Sequence, residues 1–207
     1  LKINGLSIIS HTFKKAIDAN IGDVYVAAED QEIVDDVIKN GGQAIITGKN
    51  HKTGTDRIYE AFNKIGKSDI ELVMNLQGDE PLINLDDIRN LHKKMIISKS
   101  KLGTSASNIS DKSLYSDPNV VKVYTNEILE TSNFPEALSF VRDSKNVKGN
   151  IYQHIGIYCY QLETLKKFVS LHQSQNEIKN KLEQLRALDN KITINVSLAK
   201  DSPIGVD

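Results

Sequence analysis

Three short apolar runs separated by amphipathic stretches occupy the first hundred residues, and that alternation leaves few architectures open. Val24-Tyr25-Val26-Ala27, Ala44-Ile45-Ile46-Thr47 and Ile70-Glu71-Leu72-Val73-Met74-Asn75-Leu76 read as strands, the last as a buried strand of a parallel sheet. Between the first two, Ile33, Val34, Val37 and Ile38 recur at the helical period, with Asp30 as N-cap and Gly41-Gly42 as the stop. A second helix, capped by Thr55, carries Ile58, Tyr59, Phe62 and Ile65; a third spans roughly residues 85–97. Strands alternating with helices need crossover connections, so the expected class is α/β, with a Rossmann-like, doubly wound, mainly parallel sheet.

After residue 100 the pattern changes. Asp117-Pro118-Asn119 is a turn signal, Val120-Val121-Lys122-Val123-Tyr124 a strand, and residues 126–150 a polar, irregular stretch broken by Asn133-Phe134-Pro135 and Lys148-Gly149-Asn150. Residues 151–160 form the strongest strand of this half, 162–169 and 178–188 read as helices, and 193–198 as a closing strand. The second of these helices is expected to bury Ile178, Leu182, Leu185 and Leu188. Without a repeat or an interdomain linker, residues 1–207 read as one domain.

Net charge is −1, so no basic field points to nucleic acid or to an anionic membrane. No run approaches the ~18 apolar residues of a membrane span. The single cysteine, Cys159, excludes an internal disulfide and fits a reducing compartment; its apolar surroundings suggest a structural thiol. Walker A, Gly-x-Gly-x-x-Gly, zinc-ligand and nucleophile-elbow patterns are all missing from the sequence.

Chemistry concentrates in a few polar segments. Gln77-Gly78-Asp79-Glu80-Pro81 follows the third apolar run, and carboxylates past the C-terminal end of such strands sit where open α/β sheets bind ligands. Gly78 permits a tight turn and Pro81 stops the strand, so Asp79 has a fixed direction suited to a hard cation on a phosphorylated substrate. Period-2 alternation puts His154, Gly156 and Tyr158 on one strand face, a polar wall with a gap, or else a solvated edge. Glu183 and Gln184 flank a helical apolar stripe, a position that is more commonly solvated. Lys52-Thr53-Gly54-Thr55-Asp56-Arg57 enters a helix N-terminus, where free N–H groups and Arg57 suit an anion or ribose.

Taken in order, these segments resemble the 3-deoxy-manno-octulosonate cytidylyltransferases, or CMP-Kdo synthetases, across essentially the whole chain. The resemblance also runs through Ile3-Asn4-Gly5, Asp117-Pro118-Asn119-Val120-Val121-Lys122-Val123, Leu182-Glu183-Gln184-Leu185-Arg186 and Gly205-Val206-Asp207. It implies a nucleotide-diphospho-sugar transferase fold with a dimerisation and sugar-binding excursion near residues 117–160. It also implies Mg²⁺-dependent synthesis of CMP-Kdo and pyrophosphate from CTP and a 3-deoxy sugar acid, for lipopolysaccharide, by a cytoplasmic homodimer. By resemblance, Asp79 and Asp207 are the paired catalytic metal-binding carboxylates. Gln77, His154, Tyr158, Glu183 and Gln184 line the sugar-acid pocket, and Ala27, Ala28, Thr53, Gly54 and Arg57 lie against CTP. The apolar residues of 120–124 and 151–160 are candidates for pairing two copies.

Departures from the family pattern set further expectations. The family opens with a strand and a basic phosphate-gripping loop, whereas Leu1-Lys2-Ile3-Asn4-Gly5 corresponds to residues just after it. The 207 residues are therefore expected to belong to a longer product, and alone to turn over no CTP. Asn133 stands where the family carries an Arg facing the sugar acid, so either Arg142 replaces it or the substrate is another sugar acid, such as an amino analogue. An inactive CTP- or sugar-binding homologue is the reading from a different class. Glu29 stands where Asp is usual.

Overall fold

The computed structural model describes residues 2–3, 5–144 and 149–202. A two-residue-per-strand antiparallel hairpin, β1 (Lys2–Ile3) and β2 (Leu6–Ser7), leads into α1 (Ile8–Ala19). Ser7 caps that helix by accepting from the Ser10 N–H, and Asn20 closes it in the left-handed region at φ 53°. The buried positions of α1 are Ser10, Thr12 and Ala19, so the sequence offers no strong apolar stripe to reveal it. Next come β3 (Val26–Ala28), α2 (Gln31–Lys39), β4 (Ala44–Ile46) and α3 (Gly54–Ile65). β3 and β4 pair in parallel, as the alternation requires, and the N-cap of α3 is Thr53 rather than Thr55. Thr53 accepts the Asp56 N–H, whereas Thr55 lies buried inside the first turn.

The remaining strands are β5 (Leu72–Leu76), β6 (Leu102–Ser107), β7 (Lys122–Thr125), β8 (Ala137–Val141), β9 (Asn150–Gln161) and β10 (Asn195–Leu198). They form one six-stranded mixed sheet around β9, with α4 (Leu85–Ser98) between β5 and β6 in sequence. β10 pairs β6 in parallel, whereas β6, β5 and β7 all run antiparallel to β9. β5, read from its apolar composition as a parallel-sheet strand, thus pairs antiparallel with β9; burial on both faces, which its composition reports, does not fix strand direction. Among the described residues no ladder joins the β3–β4 pair to β5.

Tyr158 pairs with Asn75 of β5 on one edge of β9 and with Thr104 of β6 on the other. Gln153 pairs with Ser107 of β6 and with Lys122 of β7. β5 and β7 therefore share one edge of β9, and residues 154–156 lie at the fork between them.

The two faces of β9 separate the core. Ile155, Ile157 and Cys159 pack with Ile88, Leu91 and Met95 of α4, whereas Tyr152, Tyr158 and Tyr160 join Leu165, Phe168 and Leu185. Cys159 is fully buried, and burial pushes its thiol up to about 12, consistent with a structural role. Leu165 and Phe168 belong to α5 (Leu162–Ser170). The expected helix over 178–188 is two short helices, α6 (Gln175–Asn180) and α7 (Gln184–Asp189), split at Lys181 in the left-handed region. Ile178 is consequently exposed rather than buried, and a Ser174–Glu177 capping box starts α6.

Two segments read as irregular or left unassigned are strands. β6, Leu-Gly-Thr-Ser-Ala-Ser, is buried throughout although its residues are small and polar; β8 occupies the outer edge in the stretch read as polar and irregular. The Asp117–Val123 motif serves the fold. Lys122, with no exposed surface, donates its ammonium hydrogens to the carbonyls of Asp117 (2.6 Å), Val120 (2.7 Å) and Arg142 (2.6 Å). Of the apolar residues expected to pair two copies, Val123, Tyr124, Tyr152, Ile155 and Ile157 are buried in this chain's own core, whereas Val120, Val121 and Ile151 keep partial exposure.

Candidate active site

Two elements meet at residues 154–156: Gln77, just past β5, lies against Gly156 in the middle of β9, between His154 and Tyr158 in sequence. Further along the same strand, Thr53 and Thr55 at the start of α3 and Glu183 before α7 gather beside Tyr158 and Tyr160. A Cβ built on Gly156 would lie 2.7 Å from Gln77 Cδ and 3.3 Å from its Nε2, so the Gln77 amide lies directly over this glycine. The gap expected between His154 and Tyr158 is thus occupied by a side chain from the neighbouring strand. The His154 and Tyr158 rings are 5.4 Å apart, and His154 meets the edge of Phe140 at 5.2 Å. Desolvation pushes His154 down to about 3, so its ring is neutral, and it holds the Tyr158 phenol well above its ordinary range.

Glu183 lies close enough to Tyr158 and Tyr160 to act on their phenols. Burial pushes its carboxyl up, while the Thr55 and Thr53 hydroxyls and Arg186 pull it down, with burial prevailing. Its Oε1 is buried without a hydrogen-bond partner, so one acceptor faces inward unsatisfied. Gln184 is buried, contrary to the solvated position its periodicity suggests, because the break at Lys181 re-aims the start of α7. Behind Glu183, fully buried Arg186 bonds both Glu177 oxygens (2.6 and 2.9 Å), approaches Asp56 at 3.7 Å and stacks 4.6 Å from the Phe168 ring centroid. Thr55 contacts the Tyr160 hydroxyl at 3.3 Å, tying α3 to β9.

The expected nucleotide residues sit nearby, at the C-terminal ends of β3 and β4. The Ala28 carbonyl accepts both the N–H (2.8 Å) and the hydroxyl (3.1 Å) of Thr47. Arg57 binds Glu29, Thr47 Oγ1 (2.9 Å) and the Gly48 carbonyl (3.3 Å), so it ties the two strand ends together. Ala27 lies within β3, and Gly54 faces Asn75, whose Nδ2 is 4.0 Å from a built Cβ.

Asp79 is exposed in the turn after β5. That turn is closed by Glu80 N–H donating to the Gln77 carbonyl at 3.3 Å and anchored to α1 by Thr12 Oγ1 donating to the Gly78 carbonyl at 2.9 Å. Its partner Asp207, with Gly205-Val206, lies outside the described residues, as do Asn4 and Lys148. Among the described residues no group of three or more His, Cys, Asp or Glu could hold a metal by themselves. A single exposed, turn-fixed carboxylate nonetheless fits Mg²⁺, which takes one or two carboxylates and fills its shell with water and substrate phosphate.

Arg142 is engaged with the backbone at the turn before Glu183. Its guanidinium donates to the carbonyls of Pro118 (2.9 Å), Asn180 (3.1 Å) and Lys181 (3.1 Å), clamping the turn that precedes Glu183, while Asn133 is exposed. A cavity of about 560 Å³, lined by Lys15, Leu82, Asn84 and Arg89 among others, contains none of the expected sugar-pocket residues. Sequence reasoning missed Thr104, which bonds His154 at 2.9 Å, because β6 carries no strand signal; it also missed the buried pairing of Arg186 inside a motif it had quoted.

The chain as a whole resembles known proteins. A family model described as Cytidylyltransferase matches residues 1–194. The 3-deoxy-manno-octulosonate cytidylyltransferase of Bartonella tribocorum is 38% identical over 208 residues, covering 100% of this chain and 85% of the relative. The protein of the same name from a Bradyrhizobium species is 39% identical, covering 100% and 84%. Among solved structures, CMP:2-keto-3-deoxy-manno-octonic acid synthetase complexed with CTP superposes with a TM-score of 0.88 at 31% identity, over 100% of this chain and 85% of the other. A 4-diphosphocytidyl-2C-methyl-D-erythritol synthase from Anaerococcus prevotii, at 14% identity and TM-score 0.61 with the same coverage, shares the fold alone. A fold with strand ends, helix start and polar β9 wall converging on one fork, matched along its length by these relatives, identifies the chain as a member of the cytidylyltransferase family, among the 3-deoxy-manno-octulosonate cytidylyltransferases.

Proposed function

We propose that this protein condenses CTP with 3-deoxy-manno-octulosonate to give CMP-Kdo and pyrophosphate, supplying the activated sugar for lipopolysaccharide. The observation that carries the reading is the Gln77 amide laid over Gly156 between His154 and Tyr158, with the Glu183 carboxyl close enough to act on the Tyr158 phenol. Such a wall of neutral donors and acceptors with one carboxyl suits a polyhydroxylated acid. CTP would lie along Ala27, Ala28, Thr53, Gly54 and Arg57, its base met by backbone groups at the strand ends.

The reaction joins the sugar's anomeric oxygen to the α-phosphorus while the bond to pyrophosphate breaks, so it depends on positioning and charge neutralisation rather than on a covalent enzyme intermediate. Asp79, together with Asp207, would hold Mg²⁺, which when bound neutralises phosphate charge and makes the attacking hydroxyl more acidic. Gln77, His154 and Tyr158 orient the sugar, and Gln184 and Glu183 bind its hydroxyls from the opposite side. A homodimer formed through residues 117–160 is part of the same proposal, with exposed Ile128 and Leu138 rather than the buried β9 side chains at its surface. So is a cytoplasmic location; among the described residues no helix is long and apolar enough to cross a membrane.

Pyrophosphate release by the full-length protein with CTP, Mg²⁺ and a panel of sugar acids tests the reading. Release is expected with Kdo, and chelation of the metal or Asp79→Ala should lower it at least ~100-fold, the loss expected when a charge-stabilising group is removed. Release with an amino-sugar acid and not with Kdo would overturn the substrate assignment. Light scattering at several concentrations reads the oligomeric state.

A further inference from the structure

We propose that Thr104 is a positioning residue that fixes the proton of His154 on Nε2, so that the ring's Nδ1 accepts a hydrogen bond from a sugar hydroxyl and cannot serve the sugar's carboxylate. The inference rests on the reading of His154 as a sugar-pocket residue. It starts from the backbone. Pairing of β6 with β9 shifts register between Thr104 and Ser105: Thr104 faces Tyr158, whereas Ser105 faces Ile155. Irregularities of this kind leave ladder groups without their regular partners and recur beside active sites. Here the Thr104 hydroxyl meets the Ile157 carbonyl at 2.7 Å and His154 Nε2 at 2.9 Å.

A hydroxyl has one hydrogen, and a carbonyl oxygen can only accept. The Thr104 hydrogen is therefore committed to Ile157, and its oxygen must accept from His154, which requires Nε2–H. With the ring desolvated and neutral, the other nitrogen carries a lone pair. Among the described residues Nδ1 makes no hydrogen bond, and the residue retains partial exposure at the fork where Gln77 covers Gly156. Thr104 is wholly buried and cannot touch a ligand itself, so its influence passes through the imidazole.

Histidine-selective ¹⁵N labelling of the full-length protein, with long-range proton–nitrogen correlation, reads the tautomer without any mutation. Nε2–H with an unprotonated Nδ1 is expected, and the Nδ1 resonance should move in the hydrogen-bonded direction when Kdo is added. An Nδ1–H tautomer or an imidazolium overturns the proposal. Thr104→Val keeps the shape but removes the acceptor. It should mix the tautomers and raise the KM for the sugar acid about tenfold, the worth of one hydrogen bond, with the KM for CTP unchanged. Thr104→Ser, which keeps the hydroxyl, should restore both. A valine variant with wild-type tautomer and KM refutes the positioning role. Failure of the underlying reading looks different: His154→Ala would leave the sugar-acid KM unchanged while the wild-type tautomer stayed Nε2–H, and the ligand half of the proposal would then fall.

Discussion

Gly156→Ala separates site geometry from stability in one substitution. The new methyl would lie 2.7 Å from Gln77 Cδ and 3.3 Å from Nε2, with no other residue among its three nearest neighbours. Gln77 is exposed, so its amide can turn aside at the cost of a changed rotamer, about 0.5–1.5 kcal/mol. In a domain of this size that lowers Tm by only about 2–5 °C. The displaced amide no longer faces the ligand, and a hydrogen bond to a charged or strongly polar group is worth about 1.5–3 kcal/mol. The KM for the sugar acid should therefore rise about 10- to 100-fold, with that for CTP unchanged. Steady-state kinetics with each substrate varied, alongside thermal unfolding, reads both quantities. Because the effect acts through Gln77, the same change in a Gln77→Ala background should raise KM no further. A drop in Tm of more than about 8 °C with unchanged sugar KM, or full additivity with Gln77→Ala, would refute the reasoning.

Gly103→Ala is the contrasting case: its methyl would meet Met95 Sδ at 2.7 Å, Phe134 Cζ at 2.8 Å and Leu91 Cδ1 at 3.1 Å, all in the core. Overpacking of about 1–3 kcal/mol should lower the urea midpoint while both KM values hold. For Glu177, burial opposes the charge, but Arg186 and Gln173 prevail and hold its carboxyl below the ordinary 4.5. Its stabilisation is present above pH 4.5 and lost as pH falls through that depressed value, so the stability advantage of wild type over Glu177→Gln, about 3–5 kcal/mol at neutral pH, should shrink in acid, as thermal unfolding will read. Glu183 has the opposite sign, since burial raises its carboxyl above 4.5 and favours the protonated fold. Glu183→Gln should be more stable than wild type at pH 8 by about 1 kcal/mol, match it at pH 4, and lose at least tenfold in kcat/KM with Kdo, as denaturant unfolding and pyrophosphate release will show.

What the sequence disclosed depended on how each residue earns its position. The strands at 26–28 and 72–76 were legible as short apolar runs, and the two faces of β9 because its side chains alternate at the strand period. β6 was not, since Gly103, Thr104, Ser105 and Ser107 are selected for fitting under α4 and against β9, a constraint invisible to hydropathy. The break at Lys181 was hidden for a related reason. A continuous helical stripe over 178–188 can be written only if Ile178 points inward, and the buried Glu177–Arg186 pair takes that place. The polar members of the site could be named from motifs, but their partners could not. Nothing local says that Gln77 covers Gly156, that Thr104 meets His154, or that Arg142 is held by the carbonyls of Pro118, Asn180 and Lys181.

β9 takes β5, β6 and β7 as partners along its two edges, and every one of those strands precedes it in the chain. During synthesis β5 must therefore wait, edge open, until residues from the opposite half emerge. Pairings of such long sequence separation close slowly, because the loop entropy is lost before the contacts form. The fork that gathers Gln77, His154, Tyr158 and Glu183 is thus among the last regions to assemble. A chain interrupted before β9 would carry α4 and its neighbouring strands without the surface that seals them, which makes the C-terminal third the guardian of solubility as well as the bearer of chemistry.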